Sequence, residues 1–369
     1  MKLNLPFKKK TDGIQPKQSK KREWLNALVF ALVASTLIRG LTFSAYAIPS
    51  GSMEGTLLTG DHLFVSKMSY GARMPITPVQ IPFLESTITE SQVKTYWDGI
   101  KLPYFRLPGL SVIQKNDIVV FNKPEEADPS YNRAIDVRTN LIKRCVATPG
   151  DVLTIVNGQV MINGKASPNG EKAQTSYTVI TDGNTINPDV FKDLGIEIIG
   201  QDDLSTYTMI IPAASLAEFR AYAFIRKVNP VIDPAGHYDA QIFPHHEKFA
   251  WNMDNFGPLT LPKKGMTITL NESSLIVYRR AIELYENNQV EIKDKHILIN
   301  GKKADTYTFQ QNYYWMMGDN RHNSLDSRFW GYVPEDHVIG KAVVTWFSID
   351  SAENLLHKIR WNRIMKPIN

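Results

Sequence analysis

Ser50 and Ser52 flank a glycine in the stretch Ile48 to Lys67, which begins where the chain's one long apolar run stops. Pro49 stiffens the entry to this turn and Gly51 allows backbone to approach backbone closely, so a serine hydroxyl can be presented at the mouth of a groove. A plain polar turn before a strand has the same composition, and the serine pair acquires meaning only beside other stretches. One is Leu141-Ile142-Lys143-Arg144-Cys145-Val146, in which a lysine stands in an otherwise apolar strand. Another runs from Gly318-Asp319-Asn320-Arg321 through Ser324 and Asp326-Ser327-Arg328 to Pro334. It is too polar for a core strand and too rich in turn formers and fixed charges for a linker. Asp117 to Phe121 reads as a strand, and Thr148-Pro149-Gly150-Asp151 as a turn. The single cysteine, Cys145, excludes an intramolecular disulfide and a multi-cysteine metal site, and it reads as a small buried apolar residue. His245-His246 invites a metal, but adjacent residues on a strand or helix point apart.

The elements that must carry these residues follow from length and patterning. A chain of 369 residues exceeds one simple core, which implies a core domain with one insertion or second domain. The formal charge of +5 is unevenly spread: residues 1–23 hold eight Lys or Arg against Asp12 and Glu23, a local +6, so the remainder carries −1. A basic arm directly before an apolar helix marks the cytoplasmic side of a membrane span more often than a nucleic-acid contact. From Trp24 to Ile48 the sequence is apolar apart from Asn26, a few Ser and Thr, and Arg39-Gly40. A run of about 25 residues is enough for a tilted helix across a hydrocarbon core of roughly 30 Å. The pattern predicts a retained single-pass helix over 24–47, with residues 1–23 as a basic cytoplasmic tail. A cleaved signal peptide is the rival reading; its apolar stretch is usually shorter, and Tyr46-Ala47-Ile48-Pro49 is a poor small-residue cleavage site.

Beyond Ser52 the chain turns to short β-prone runs punctuated by Gly, Pro, Asn and Asp. His62 to Lys67 and Asn140 to Ala147 read as strands, and Val152 to Val156, Asn157-Gly158 and Gln159 to Ile162 as a hairpin with a two-residue turn. The phrase Val160 to Lys165 is echoed at Ile297 to Lys302, which marks two hairpin ends and not a repeat architecture. Residues 73–110, with five prolines, form an irregular excursion whose Phe83, Tyr96, Trp97, Tyr104 and Phe105 pack on the body or touch lipid. Within a block over 166–291, Asn271 to Asn288 predicts a helix with Asn271 as N-cap and Leu275, Tyr278, Ile282 and Tyr285 on its core face. A basic amphipathic C-terminal tail over 351–369 lies on anionic lipid or docks on the body, two readings left equal.

Taken in order, the apolar span, the Ser-Met pair at Ser52-Met53, Asp117-Ile118-Val119-Val120-Phe121, Lys143-Arg144 with Pro149-Gly150-Asp151, and the Gly318 to Arg328 run resemble the five sequence boxes of bacterial type I signal peptidases, the serine-lysine dyad leader peptidases. The resemblance covers roughly 24–70, 111–165 and 293–348. It implies a mainly β protein: an antiparallel β catalytic core over 48–165 and 292–350 after one transmembrane helix, with an inserted α+β domain over 166–291. The 73–110 excursion and most of 166–291 have no counterpart in the shared boxes and read as insertions of a subfamily.

The resemblance also implies roles. Ser52 matches the nucleophile and Lys143 its base; a serine hydroxyl needs a base at neutral pH, and burial against Leu141, Ile142 and Met53 lowers a lysine pKa. Ser50 matches the hydroxyl that forms an oxyanion hole with the Ser52 backbone N–H, and Ser324 the residue that orients the lysine amine. Asp319 with Arg144, and Asp326 with Arg328, are expected as charge pairs that support the last box. Ile48, Met53, Leu57, Leu141 and Ile142 would line shallow pockets for small substrate residues. The implied activity is removal of signal peptides from secretory preproteins after Ala-x-Ala sites, without metal or organic cofactor and without nucleic acid. It would take place at the outer face of a bacterial inner membrane near the secretion machinery. Two other readings remain: a specialised Ser-Lys processing protease, or a catalytically retired membrane-tethered peptide-binding or scaffold protein. Two positions depart from the family pattern. The usual proline after the Ser-Met pair is Gly55, preceded by Glu54, and the Arg-Gly before the Asp-Ile-Val-Val strand is Lys115-Asn116.

Overall fold

Eighteen apolar-biased residues from Trp24 to Leu41 sit inside one helix, α1 (Lys20–Leu41), with Glu23 in its first turn and Arg39 in its last, each sign complementing the helix dipole. None of its residues is buried, and by length and composition it can cross a membrane. At 1.5 Å per residue that apolar part measures about 27 Å, close to a hydrocarbon core. The expected span to residue 47 is corrected: the helix stops at Leu41, and Phe43–Ala47 form a strand, β1, paired with β2 (Asp61–Ser66) from Phe43 opposite Ser66 to Ala47 opposite His62. Hydropathy cannot see this boundary. Gly40 weakens the helix end, and the ladder to β2 satisfies the backbone of the next five residues.

The computed structural model describes residues 19–81, 84, 87–88, 93–131, 133–167, 173–183, 187–350 and 358–368. Most of the expected basic tail (1–18), Phe83 of the excursion and the start of the C-terminal tail (351–357) lie outside these residues. The chain divides into one unit ending at Arg39 and another from Gly40 onward.

The second unit is mainly antiparallel β. Its largest sheet uses β1 and β2 with β3 (Ile118–Asn122), β4 (Asn140–Ala147), β5 (Tyr313–Met317), β6 (Val333–Pro334) and β7 (Val338–Ser348), in the spatial order β1-β2-β7-β3-β4-β5-β6. β3 and β5 are buried at every position, as continuous apolar runs at the centre of a covered sheet should be. The predicted strands at 62–67, 117–121 and 140–147 thus fall within two residues of β2, β3 and β4. The expected Asn157-Gly158 hairpin and the two echoed hairpin ends form, with positive φ at Asn157-Gly158 (48° and 78°), Asn163-Gly164 (53° and 76°) and Asn300-Gly301 (51° and 74°).

The expected separate block over 166–291 is divided differently. Gln174–Thr181, Glu197–Gln201, Thr206–Pro212 and Ile225–Pro230 make a four-stranded sheet with its own core of Tyr177, Val179, Met209, Ile211 and Phe219. The rest belongs to the main body. Phe256–Thr260 pairs with Val152–Val156, and Ile242, Phe243, Phe256 and Leu275 pack in one core with Val146, Leu153, Trp315 and Tyr332. The predicted helix is present as α2 (Glu272–Arg280), continued by one π-helical turn over Ala281–Tyr285, and Asn271 caps it by accepting from Ser274 N. The excursion is pinned by two arginines: Arg73 donates to Asp336 O (2.8 Å) and Asn122 Oδ1 (2.6 Å), and Arg106 donates to Gly71 O (2.8 Å). Of the C-terminal tail, Lys366–Pro367 pairs with β7 and Arg363 forms a buried ion pair with Asp61, so the described part docks on the body while Trp361 and Met365 stay exposed.

Candidate active site

The turn that carries Ser52 is a single 3-10 turn, Gly51–Met53, entered from an extended Ser50. Met53 and Leu57 anchor it, both essentially inaccessible and joined by a Leu57 N–H bond to Met53 O of 2.8 Å. Gly55 has φ of 91°, in the left-handed region closed to the fixed φ of a proline, so the departure at this position reshapes the turn behind Ser52. Asn116, where the family pattern has glycine, has φ of 74°, a conformation that asparagine tolerates better than most residues.

Lys143 lies on β4 opposite Val119 and is 4% exposed. Its Nζ is 2.7 Å from Ser52 Oγ. Burial lowers the amine's pKa to about 8, against an upward pull from the carboxylates of Asp326 and Asp319. At pH 7 about a tenth of such amines are neutral, against fewer than about one in a thousand for a free lysine.

Two buried ion pairs frame the two residues. Arg144, next on β4, donates from Nε (2.8 Å) and Nη2 (2.7 Å) to Asp319, which also accepts from Thr56 Oγ1 (2.6 Å). Arg328 donates from Nε (2.9 Å) and Nη2 (2.8 Å) to Asp326, whose Oδ2 also accepts from Gly318 N (3.1 Å). Burial raises the Asp326 pKa, but the Arg328 guanidinium and the N–H donors outweigh it and hold the carboxyl below its usual range.

The sequence profile described as "Signal peptidase, peptidase S26" matches residues 21–198 and 304–347, more than half of the chain and all of the residues just described. The chain belongs to this family. It is therefore a serine peptidase. Similar curated proteins include the Signal peptidase I of Buchnera aphidicola subsp. Baizongia pistaciae, 24% identical over 95% of this chain and 84% of that protein. The Signal peptidase I of Haemophilus influenzae is 26% identical over 91% and 72%, and that of Helicobacter pylori strain J99 is 24% identical over 94% and 91%.

In this S26 peptidase the remaining expected residues divide. The Ser50 hydroxyl is exposed and makes no side-chain hydrogen bond among the described residues. Ser324 is not joined to Lys143: its Oγ is buried without a hydrogen-bond partner among the described residues and sits against Gly318, where an added Cβ would lie 2.2 Å from it. The pocket residues also separate. Ile48, Met53, Leu57 and Ile142 share one apolar cluster with Leu63, Ile118 and Ala342, whereas Leu141 packs against another, with Val119, Phe121 and Cys145. Successive side chains of a strand point to opposite faces, so Leu141 and Ile142 cannot line one wall together.

Several residues of the site escaped sequence reasoning because they act through backbone atoms. Asn320 donates from its N–H to Ser52 O (3.2 Å) and from Nδ2 to Gly51 O (3.3 Å), so it holds the serine turn directly. A Cβ on Gly318 would lie 2.5 Å from Ser52 O, so only glycine fits there. The loop is in turn tied to the four-stranded insertion: Gln174 N donates to Asp319 O (2.9 Å), and His322 bridges Thr175 Oγ1 (2.6 Å) and Asp254 (3.1 Å). The available signal was the Gly-Asp-Asn-Arg run itself, which marks the loop without saying which atoms it grips. One hydrogen bond of this kind is worth about 0.5–1.5 kcal/mol, so Asn320→Ala is expected to lower kcat about three- to tenfold with KM nearly unchanged, as read from initial rates of peptide cleavage.

Proposed function

We propose that this S26 peptidase removes N-terminal signal peptides from exported preproteins, with Ser52 as nucleophile and Lys143 as its base. The observation that carries the reading is the 2.7 Å separation of Lys143 Nζ and Ser52 Oγ in a member of this family. The neutral amine accepts the serine proton as Oγ attacks the carbonyl carbon after the last signal-peptide residue. The resulting ammonium then gives that proton to the leaving amine of the mature chain. The Ser52 N–H and the Ser50 hydroxyl, free to turn, donate to the developing oxyanion; losing one such donor typically costs about 10²–10³ in rate. Water then releases the acyl group from Ser52 by the same base.

We assign specificity for Ala-x-Ala sites to the apolar cluster of Ile48, Met53, Leu57 and Ile142, which includes Met53 of the turn that carries Ser52. An extended peptide adds to the exposed backbone before Ser50 by strand addition. The α1 helix anchors the chain in the inner membrane, and the basic residues before it keep the N-terminus in the cytoplasm, so the peptidase unit faces outward, where preproteins leave the secretion machinery. Anchoring raises the effective concentration of a substrate whose own apolar segment lies in the same bilayer.

The test is cleavage of a preprotein carrying an Ala-x-Ala site by the purified full chain, with the new N-terminus sequenced. Cleavage after the second alanine is expected from the unmodified chain and not from Ser52→Ala. Tight binding without cleavage would point instead to a retired peptide-binding protein. Because the base must be neutral, kcat/KM is expected to rise about tenfold per pH unit up to a midpoint near 8 and to level off above it. A flat profile between pH 6 and 9 would exclude Lys143 as the base.

A further inference from the structure

Glu54 directly precedes Gly55, one of the positions where this chain departs from the family pattern, and its side chain turns back over the catalytic turn. A Cβ on Gly51, between the two proposed site serines, would lie 2.9 Å from the Glu54 carboxyl carbon and 2.9 Å from Oε2. Thr59 Oγ1 reaches Oε1 at 3.4 Å, and no ion pair engages the carboxylate among the described residues. Arg360, a cation whose charge acts on it, is instead bonded to Thr59 O, Ile349 O and Asp350. Partial burial and the neighbouring Glu197 push the Glu54 carboxyl pKa up. The carboxylate is thus half-buried beside the nucleophile and short of a positive partner.

It also borders a cavity of about 440 Å³, one wall of which follows Ser52 directly in the chain. One wall is Glu54, Gly55 and Leu58, directly after the serine turn; the other includes Gln174, Gly195 and Pro212 of the insertion. Gln174 is bonded to both sides of Asn320, through Asp319 O and Arg321 N (2.9 Å each), and Asn320 N donates to Ser52 O. No residue of this lining belongs to the apolar cluster of Ile48, Met53, Leu57 and Ile142. A peptide passing the nucleophile has residues on both sides of the scissile bond. If those before it take the apolar cluster, the second recess is left for those after it.

We infer that this recess receives the first residues of the mature segment and that Glu54 is a specificity-determining residue there, favouring a lysine or arginine side chain over an acidic one. The inference rests on the signal-peptidase reading and assigns a further subsite to the same reaction. The carboxylate accepts from the cation without any covalent step.

The test uses three preproteins with one Ala-x-Ala site that differ only in carrying Lys, Gln or Glu within the first three mature residues. An exposed or half-exposed ion pair contributes up to about 1 kcal/mol, so the unmodified chain is expected to prefer Lys over Glu in kcat/KM about two- to fivefold. The ratio is expected to fall to about one in Glu54→Gln and to invert in Glu54→Lys, and cleavage of the Gln substrate reports whether each variant is folded. In the unmodified chain the preference is also expected to shrink between 0.05 and about 0.5 M salt as screening shortens the Debye length. An unchanged Lys-to-Glu ratio in Glu54→Gln, or a preference indifferent to salt, overturns the inference while the signal-peptidase reading stands. Failure of the unmodified chain to cleave all three overturns both.

Discussion

Lys143→Ala is expected to lower cleavage of a preprotein by at least about 10⁴-fold, on the scale seen when a nucleophile or its base is removed from a serine hydrolase. Ser52→Ala should cost about as much, and the double variant little more, because the two groups act as one unit. The more informative variant is Lys143→Arg. It keeps a positive charge on β4, but a guanidinium does not deprotonate in a protein, so it should be as inactive as alanine. Activity retained in Lys143→Arg would mean that the charge, and not proton transfer, is what Ser52 requires. Loss of folding is not expected to confuse the result. A lysine whose pKa falls from 10.5 to about 8 on folding binds fewer protons in the native state than in the unfolded state between those values. Native stability therefore rises with pH through the window from about 8 to 10.5, and below it carries a constant cost for the buried ammonium. Lys143→Met removes that cost. It should unfold at an equal or higher temperature than the unmodified chain at pH 7 while being inactive, a separation that differential scanning calorimetry and an activity assay resolve together.

Asp326→Ala should be the most destabilising single change in the last box. The carboxylate is inaccessible to solvent, accepts from Arg328 Nε and Nη2 and from Gly318 N, and caps the short helix Ser327–Trp330. Its removal leaves the Arg328 guanidinium, 1% exposed, without a counter-charge. Breaking a buried pair in this way costs about 3–5 kcal/mol, which for a body of this size corresponds to a fall in Tm of roughly 4–7 °C. Denaturant unfolding of Asp326→Ala and Asp326→Asn beside the unmodified chain reads the effect, and Asp326→Asn should lose less because an amide oxygen can still accept from Gly318 N. A second consequence follows from electrostatics. Asp326 pulls the Lys143 pKa upward, so any folded Asp326→Asn protein should show its activity midpoint at lower pH than the unmodified chain. A loss below about 1 kcal/mol with an unmoved midpoint would show that the pair is neither a support nor part of the field on Lys143.

Much of the scaffold was legible because it is written in local periods. The apolar run before Phe121 became β3, Asn-Gly became hairpin turns, and Asn271 before an amphipathic stretch became a capped helix. The types of the chemically important residues were equally plain, since a lysine in an apolar strand and a polar box of fixed charges are conspicuous against their surroundings. The errors lie where two local readings were equally good. Phe43 to Ala47 is apolar enough to continue a helix and β-prone enough to leave it, and only the partner β2 decides. Leu141 and Ile142 looked alike as pocket residues, yet the pleat of β4 sends them to different clusters.

What the sequence determined by itself is the inventory: one helix long enough to span a bilayer, a β-rich body, membership in a serine peptidase family, and the positions of Ser50, Ser52, Lys143, Ser324 and two Asp-Arg pairs. Only the tertiary structure decided how that inventory meets. It set Lys143 Nζ at 2.7 Å from Ser52 Oγ across 91 positions, left Ser324 Oγ without a hydrogen-bond partner among the described residues, and put Asn320 on the backbone of the serine turn. It also drew 242–290 into the main core while leaving 174–230 a core of its own, and opened a recess beside Glu54. The physical reason is common to all of these. Propensity and periodicity act over a few residues, whereas pKa, hydrogen-bond partnership and cavity shape are set by whichever distant segments the sheet brings together and excludes from water.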